Sequence, residues 1–498
     1  MMDLDKLREL LKKTNIPDNM VDRGIIGLST FTKPMENLLH QMKPPQYGWT
    51  DSQITWFLQM LSSMDSNNDL EAYRIGEREA RISTTILNDL AGGFAHGIGR
   101  SGDIKAPQPK ATGGSIINFL TDRLVLFFLK ERGLVNVKDA ITLPLSTGMT
   151  LALTIRGLYT REKSRLNSSD VQKIEKLKNR TEMIIPRMDH KSPLKAVDLA
   201  AMEPKIIQTE LGSEIAEKLQ GKKETKPDGS LSKKDVQTLE FIKKHGLEAV
   251  YAPLDDIAEA INHRTFGILS TTSFFPPRAP DYIKEVAKIA ESHKINHIIN
   301  NAYGVQSDDL MAEIRKGIDA GRVDAIVQST DKNFLTPVGG AIVCSPDPEV
   351  LKNIGQGYAG RGTAAPVLQL FVSMLSMGLQ GYDELVEQQQ QNRKILESEL
   401  TKLAEKLNER VLDINNPVAC VMTLDTLQTQ QQERLGGFLY NLRVTGPRVV
   451  IPRKKKFGAS MDGYPHAYVV MNAAIGCKKS DIVGAVRQLG RAFEQILH

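Results

Sequence analysis

The chain has 498 residues, of which 41% are hydrophobic and 25% are charged, and its formal net charge is +5. This length allows two or three domains with separate cores, and the composition is that of an ordinary soluble protein. The three cysteines are far apart, with neither a metal-ligand spacing nor a disulfide framework: Cys344, Cys420 and Cys477. We therefore expect no metal site and a reducing compartment, and the mild positive charge permits a nucleic-acid partner without indicating one.

The N-terminal sequence MMDLDKLRELLKK is charged and amphipathic, without the apolar core of a secretory signal. The longest apolar run, Leu124 to Leu129, lies between Arg123 and Lys130 and is too short to span a membrane. We expect a cytoplasmic protein with no membrane contact.

A glycine-rich stretch follows at residues 96–115, with Arg100, Lys105 and Lys110 interleaved. It is not a Walker loop, because no Gly-Lys-Ser/Thr closes it. Glycines let backbone amides approach an anion and arginine grips phosphate through two bonds, so the stretch predicts an anion site. The charged cluster Gly76 to Glu79 is typical of a solvated face.

Ser146, Thr147 and Gly148 precede a helical run from Leu151 to Leu158. Such a turn can bind a phosphate at the positive end of the helix. Taken alone, the turn favours a plain N-cap, and the phosphate interpretation stays open as the alternative.

Three short apolar runs follow at 267–271, 297–300 and 324–328, with helical periodicity at 282–290 and 310–317 between them. This alternation predicts a parallel α/β sheet. All three runs end in polar residues, among them Asn300, and ligands of such sheets bind at the carboxyl ends of the strands.

Lys332 follows the third run and is succeeded by Pro-Val-Gly-Gly and another apolar run at 341–343. A lysine at a strand exit is either a solvated side chain or one held for covalent chemistry. A lysine at one strand end, a phosphate-type turn at a helix start and Asn300 at a neighbouring strand end together match a pyridoxal phosphate (PLP) enzyme.

Two other regions differ in composition. Residues 217–235 are rich in lysine and poor in apolar residues, which predicts a solvated, flexible loop. The region from about 366 onward predicts a smaller α+β domain. The basic run 453–456 is typical of a solvated turn, and such runs also contact nucleic-acid phosphates.

Several long motifs resemble the family of O-phosphoseryl-tRNA(Sec) selenium transferases. The motifs are MDSNN (64–68), GERE (76–79), HGIGRSGDI with QPKA (96–111), STGM (146–149), STTSFFPPR (270–278), INNAYGVQS (299–307), QSTDKNF with PVGGAIV (328–343) and GYAGRGTAAP (357–366). The resemblance covers most of residues 20–380 and, more loosely, the remainder.

This resemblance implies a fold-type I PLP-dependent transferase, an α/β protein with a mostly parallel central sheet and a smaller C-terminal α+β domain. The implied domains are an N-terminal helical segment (1–125), a PLP-binding domain (126–365, with an insertion near 205–248) and the C-terminal domain (366–498). A homotetramer acting on tRNA(Sec) that carries phosphoserine, with selenophosphate as donor, is also implied.

The resemblance also implies roles for single residues. Lys332 matches the cofactor lysine, and Glu77 matches a residue that repels a free α-carboxylate. The other matched cofactor contacts are Arg78, Ser146, Thr147, Gly148, His190 and Asn300. The matched substrate-phosphate residues are Arg100, Ser101, Gln108 and Arg361. Arg443 resembles the position that meets the tRNA acceptor end.

The implied reaction is removal of the α-proton by Lys332, loss of phosphate from the β-carbon to give dehydroalanyl-tRNA, and addition of selenium. His190 stands where many members have glutamine, and Asp319 stands where animal members carry an arginine implicated in tRNA contact. The 205–248 insertion is a further departure. Two alternatives stay open: a related enzyme making cysteinyl-tRNA with a sulfur donor, and a tRNA-binding protein without catalysis.

Overall fold

The structure is a computed structural model that describes residues 3–225, 230–272, 275–452 and 458–497. The chain divides into two compact units, one formed by residues 1–128 and 358–382 and the other by residues 129–357 and 383–498. The basic run 453–456 lies outside the described residues. The division into the three domains 1–125, 126–365 and 366–498 stays a prediction.

The first unit is helical. Its helices are α1 (Leu4–Leu11), α2 (Asp18–Gln41), α3 (Asp51–Ser62), α4 (Thr85–Leu90) and most of α5 (Thr112–Glu131). Helix α3 begins at a reciprocal capping box between Thr50 and Gln53, and its apolar face buries Phe57 against Trp49 and Phe371.

Helix α5 is the one helix in the described part of the chain that is long and apolar enough to cross a membrane by length and composition. However, 67% of its apolar window is buried within the protein, which is also what the core helix of a globular protein shows. One such helix, buried to this extent, is weak evidence for a membrane span.

The second unit carries a seven-stranded sheet in the order β1-β9-β8-β7-β6-β2-β3. Its strands are β1 (Asp139–Leu143), β2 (Glu182–Pro186), β3 (Glu203–Ile207), β6 (Thr265–Thr271), β7 (Asn296–Asn300), β8 (Ala325–Ser329) and β9 (Ala341–Ser345). Only β9 runs against its neighbours, and the others are parallel to one another. The predicted α/β fold with a mostly parallel sheet is confirmed.

Helices cover this sheet, and a two-stranded ribbon of β4 (Glu210–Leu211) and β5 (Val250–Tyr251) lies beside it. The helices are α6 (Thr147–Ser164), α7 (Val171–Lys178), α8 (Lys191–Leu199), α9 (Gly212–Thr225), α10 (Lys233–His245), α11 (Leu254–Glu259), α12 (Ile283–His293), α13 (Asp308–Ala320), α14 (Thr330–Phe334) and α15 (Pro348–Gln356). The strands β6, β7 and β8 are buried throughout, as parallel strands covered by helices are.

The predicted loop at 217–235 is wrong for most of its length, because α9 extends to Thr225 and α10 begins at Lys233. Leu219 is buried, Ile215 packs against the core, and Ser232 and Asp235 form a capping box that starts α10. Widely spaced apolar residues among lysines are enough to anchor an amphipathic helix, which the composition alone did not show.

The C-terminal part of this unit has a three-stranded antiparallel sheet in the order β10-β12-β11. Its elements are the part of the long helix α16 (Ala365–Lys406, kinked at Gly378) that follows residue 382, then β10 (Ala419–Thr423), α17 (Thr429–Asn441), β11 (Arg448–Val450), β12 (Tyr468–Asn472) and α18 (Lys479–Leu497); the earlier part of α16 belongs to the first unit. Helices α17 and α18 pack on one face of the sheet around Leu435, Leu489 and Phe493.

Candidate active site

A cavity of about 400 Å³ in the second unit opens at the carboxyl ends of the parallel strands. Its lining includes six of the predicted site residues: Ser146, Thr147, Gly148, His190, Asn300 and Lys332. Strand register brings these residues together. Thr271 pairs with Asn300, and Asn300 pairs with Val327, so strands β6, β7 and β8 end along one edge of the sheet. The cavity has the size of a small-molecule site.

Lys332 lies on α14, a single helical turn directly after β8, where the sequence had suggested only an exit turn. Three hydrogen bonds hold this turn: Gln306 Nε2 donates to the Lys332 carbonyl (3.0 Å), Asn333 Nδ2 to the Ala302 carbonyl (2.9 Å), and Thr330 N–H to the Gly340 carbonyl (3.2 Å). Among the described residues no carboxylate lies within 4 Å of the lysine amine, whose residue is exposed to the cavity. The main chain is thus fixed while the amine stays accessible.

The start of α6 faces the same cavity. Ser146 is its N-cap, with the hydroxyl accepting from Met149 N–H at 3.5 Å, so the N-cap interpretation is confirmed. Thr147 and Gly148 are the first residues of an 18-residue helix, where backbone N–H groups have no partner within the helix. These N–H groups and the helix dipole suit a phosphate, so a cap and an anion site coexist here.

Asn300 supplies a test of whether a ring cofactor fits. Its side-chain Oδ1 is buried and has no hydrogen-bond partner among the described residues, although the residue lines the cavity. A buried acceptor without a partner is unfavourable unless a bound ligand supplies the donor. The protonated ring nitrogen of PLP is such a donor, so the residues present fit this group.

His190 stands immediately before α8 and lines the same cavity as Asn300. Burial lowers the pKa of the His190 imidazole, and the positive charges of Lys332 and Arg448 lower it further. A neutral imidazole is therefore favoured here, which leaves a flat, uncharged surface beside the lysine.

The predicted substrate-phosphate residues are described within the first unit. Arg100 and Ser101 are exposed in a tight turn closed by the backbone bonds between Arg100 and Asp103 (2.9 and 3.0 Å). Arg361 is next to Gly362, which pairs with Ile98 through two backbone bonds of 2.9 and 3.1 Å. Gln108 donates its backbone N–H to Ser115 Oγ at 2.9 Å. The pairing of Ile98 with Gly362 brings the distant Arg361 to the glycine-rich stretch.

Glu77 and Arg78 are exposed in an irregular segment before α4, and the lining of the Lys332 cavity does not include them. The neighbouring Glu79 is buried and ion-paired with Lys110, and this hydrogen bond lowers the pKa of the Glu79 carboxyl. The roles of Glu77 and Arg78 stay predictions.

Arg443 lies just after α17 with a left-handed backbone (φ 60°) and lines a second cavity of about 530 Å³ in the same unit. Arg487 lines this cavity too, and Asn472 lines both it and the Lys332 cavity. The two cavities therefore adjoin at Asn472. The role of Arg443 stays a prediction.

Two residues near the Lys332 cavity were missed by the sequence analysis. Gln306 is buried and joins two segments, because its Oε1 also accepts from Ile475 N–H at 3.0 Å. Arg448 lies at the start of β11, with its guanidinium carbon 5.1 Å from the ring centroid of the cavity residue Phe275. The sequence offered one signal for each residue: Gln306 lies within the motif INNAYGVQS, and Arg448 directly precedes the apolar residues Val449 and Val450.

Comparison with known proteins gives a consistent family. The model of the O-phosphoseryl-tRNA(Sec) selenium transferase family matches residues 64–226 and 245–494. The O-phosphoseryl-tRNA(Sec) selenium transferase of Methanococcus maripaludis is 39% identical over 95% of this chain and 97% of its own length. That of Methanopyrus kandleri is 37% identical over 96% of this chain and 99% of its own length. The relative from Dictyostelium discoideum is 34% identical over 96% of this chain and 97% of its own.

A solved archaeal O-phosphoseryl-tRNA(Sec) selenium transferase superposes with a TM-score of 0.80 at 38% identity, covering 96% of this chain and 98% of that one. A sphingosine-1-phosphate lyase from Burkholderia pseudomallei shares the fold at 13% identity and a TM-score of 0.53, covering 97% and 91%. The chain therefore belongs to the O-phosphoseryl-tRNA(Sec) selenium transferase family.

Proposed function

We propose that this chain converts O-phosphoseryl-tRNA(Sec) to selenocysteinyl-tRNA(Sec), using PLP bound at Lys332 and selenophosphate as the selenium donor. The observation that carries the proposal is the cavity that gathers Lys332, the start of α6 and the unpartnered Asn300 oxygen, in a chain of this family.

Within this cavity, the N–H groups of Thr147 and Gly148 would hold the cofactor phosphate, Lys332 would hold its aldehyde carbon, and Asn300 would meet its ring nitrogen. Bound there, PLP supplies an electron sink for the electron pair left at the substrate α-carbon. His190, whose pKa is lowered by burial and by two nearby cations, is suited to contact a flat ring.

Lys332 then moves protons. Once the amine of the phosphoseryl group has replaced it at the cofactor's aldehyde carbon, the freed Lys332 amine, which has no carboxylate partner among the described residues, would take the substrate's α-proton. Arg100, Ser101, Gln108 and Arg361 hold the phosphate that leaves from the β-carbon and stabilise the charge that develops on it. Glu77 repels the carboxylate of free phosphoserine but tolerates the ester of the tRNA-bound form.

The proposal includes a cytoplasmic homotetramer, with the tRNA acceptor end at Arg443. Support for association of copies comes from large apolar side chains of the first unit: Leu70, Tyr73 and Ile75 are 99%, 98% and 95% exposed. Apolar side chains clustered at such exposure are typical of surfaces that pack against another chain.

A sulfur-transferring relative would use a cysteine thiolate near the lysine to carry sulfur. Burial raises the pKa of the Cys344 and Cys420 thiols to about 12 and also raises that of Cys477. None of the three cysteines lines the Lys332 cavity. The residues of this chain therefore favour the selenium reaction, in which the donor arrives in solution.

The test is phosphate release from phosphoseryl-tRNA(Sec), with and without selenophosphate, by the wild type, by Lys332→Ala and by Lys352→Ala as an exposed-lysine control. We expect release by the wild type and the control alone, and selenocysteinyl-tRNA only when selenophosphate is present. No release from cofactor-loaded wild type would show that the proposed substrate is wrong. Undiminished release by Lys332→Ala would show that the proposed lysine is wrong.

A further inference from the structure

Arg448 occupies an unusual position in the small sheet. It begins the edge strand β11, where Arg448 pairs with Val470 and Val450 pairs with Tyr468 of β12. Side chains two residues apart in a strand point to the same face. Val450 is buried in the cluster that contains Tyr468, whereas Val449 packs on the opposite face against the cluster of α17 and α18. The arginine thus lies on an inward face that otherwise carries apolar side chains.

The partners of Arg448 leave most of its charge uncompensated. Its Nη2 donates to the Gly458 carbonyl at 3.3 Å, and its guanidinium carbon lies over the Phe275 ring. No carboxylate of the described residues lies within 4 Å of it. The nearby Asp189 is already engaged, because it accepts from Gly458 N–H and Ser460 N–H at 2.9 Å each and from Arg187 Nε at 3.1 Å.

Both neighbours of Arg448 connect it to the Lys332 cavity. Phe275 lines that cavity, and its ring centroid is 6.3 Å from the ring centroid of His190, which lines it as well. The Gly458 residue that receives the Arg448 hydrogen bond is itself bound to Asp189, directly before His190 in the chain. Arg448 does not itself line the cavity, but the fold fixes its guanidinium directly behind the lining residue Phe275, close enough to lower the pKa of His190.

A partly buried cation without a counter-ion is unfavourable unless a ligand supplies negative charge. One of the five guanidinium N–H groups is engaged in the described part of the chain, so others remain for a forked contact with an oxyanion. We propose that Arg448 binds a phosphate-type oxyanion carried by one of the two substrates as it enters the Lys332 cavity.

This inference rests on the proposed function, since both substrates bring phosphate groups. The phosphate could belong to the 3′ end of the tRNA or to the selenium donor. A carboxylate ligand fits less well, because the substrate's α-carboxyl group is esterified.

The test compares the cofactor-loaded wild type with Arg448→Gln, Arg448→Lys and Arg434→Gln. Arg434 is the matched control, because its guanidinium carbon also lies 5.1 Å from a ring centroid, that of Phe438, while its side chain is exposed and lines neither cavity. Filter binding measures the dissociation constant of uncharged tRNA(Sec), and calorimetry measures that of selenophosphate. Cofactor affinity, determined by absorbance titration, checks that each variant is folded.

We expect Arg448→Gln to weaken either the tRNA affinity or the selenophosphate affinity by about tenfold or more, because the variant loses a hydrogen bond to a charged group. Arg448→Lys should recover part of that loss, because it keeps the charge but not the fork. A change in tRNA affinity alone assigns the phosphate to the tRNA, and a change in selenophosphate affinity alone assigns it to the donor. If both affinities of Arg448→Gln equal those of Arg434→Gln, the inference is overturned.

Both measurements are equilibrium binding and need no turnover. A wild type that binds both ligands but releases no phosphate would refute the proposed function while still deciding the role of Arg448. An active wild type with unchanged affinities in Arg448→Gln would refute the inference alone.

Discussion

Gly97→Ala should disrupt the substrate-phosphate residues without touching the Lys332 cavity. Gly97 has a left-handed backbone (φ 68°), and a Cβ there would lie 2.3 Å from the Gly362 carbonyl oxygen. Alanine therefore has to push away the segment around Gly362, whose two backbone bonds to Ile98 are 2.9 and 3.1 Å long. Because Arg361 is adjacent to Gly362, its guanidinium moves with that segment.

The expected cost can be worked out from these contacts. A left-handed non-glycine residue costs about 1–2 kcal/mol, and the loss of two backbone hydrogen bonds adds about 1 kcal/mol each, for a total of about 3–4 kcal/mol. An arginine hydrogen bond to phosphate contributes about 1.5–3 kcal/mol, so its loss lowers kcat/KM by roughly 10- to 100-fold.

The assay is the initial rate of phosphate release at increasing phosphoseryl-tRNA concentration, alongside an absorbance titration of cofactor affinity. Gly133→Ala is the control, since Gly133 has φ 100° but, apart from its chain neighbours, no atom of the described residues lies within 4 Å of the added Cβ, so this variant experiences the backbone strain alone. We expect near-normal kcat/KM for Gly133→Ala and unchanged cofactor affinity for both variants. A kcat/KM of Gly97→Ala equal to that of the wild type would refute the reasoning.

Three further predictions concern single side chains. Gln306→Ala leaves the buried Ile475 N–H unpaired, which costs about 1–3 kcal/mol of stability, and we expect weaker cofactor binding in an absorbance titration. The control is Gln432→Ala, which also removes two buried hydrogen bonds and should leave cofactor binding unchanged. Asn300→Asp should not raise the rate of phosphate elimination, because phosphate leaves readily even with a weak electron sink. Burial raises the pKa of Asp65 from 3.8 to about 6, so its contribution to stability is full below pH 3.8 and is lost as the pH rises through about 6. Between pH 4 and pH 7 this loss lowers the free energy of unfolding by at most about 3 kcal/mol, which urea unfolding at the two pH values measures. Asp65→Asn should abolish the difference that Asp65 causes.

Each of these predictions has a contrary result. Equal cofactor affinities of the Gln306 and Gln432 variants would mean that the bridge to Lys332 has no role in cofactor binding. A severalfold faster elimination by Asn300→Asp would contradict the weak-sink hypothesis. An unchanged pH dependence in Asp65→Asn would place the titrating group elsewhere.

Local sequence patterns predicted the elements around the site well. The strands ending at Thr271, Asn300 and Ser329 each lie within two residues of the apolar runs that predicted them. This accuracy has a physical cause, since buried parallel strands need continuous apolar runs and polar residues mark their ends. Ser146 was likewise recognisable, because N-capping depends on only a few neighbouring residues.

Features that depend on distant residues were beyond the sequence patterns. Gln306 became significant only through its bonds to Lys332 and Ile475, which are 26 and 169 residues away. The orientation of Arg448 depends on the pairing of β11 with β12 and on the approach of Phe275. The roles of the matched phosphate and tRNA residues came from family resemblance and await experiment.

The most direct test of the central claim locates the cofactor on the chain. The PLP-loaded protein is reduced with borohydride, digested and analysed by mass spectrometry, with Lys332→Ala as the control. We predict one modified peptide that carries the added mass on Lys332, and no modified peptide in the variant. Modification of another lysine, or equal modification of Lys332→Ala, would contradict the assignment of this cavity as the active site.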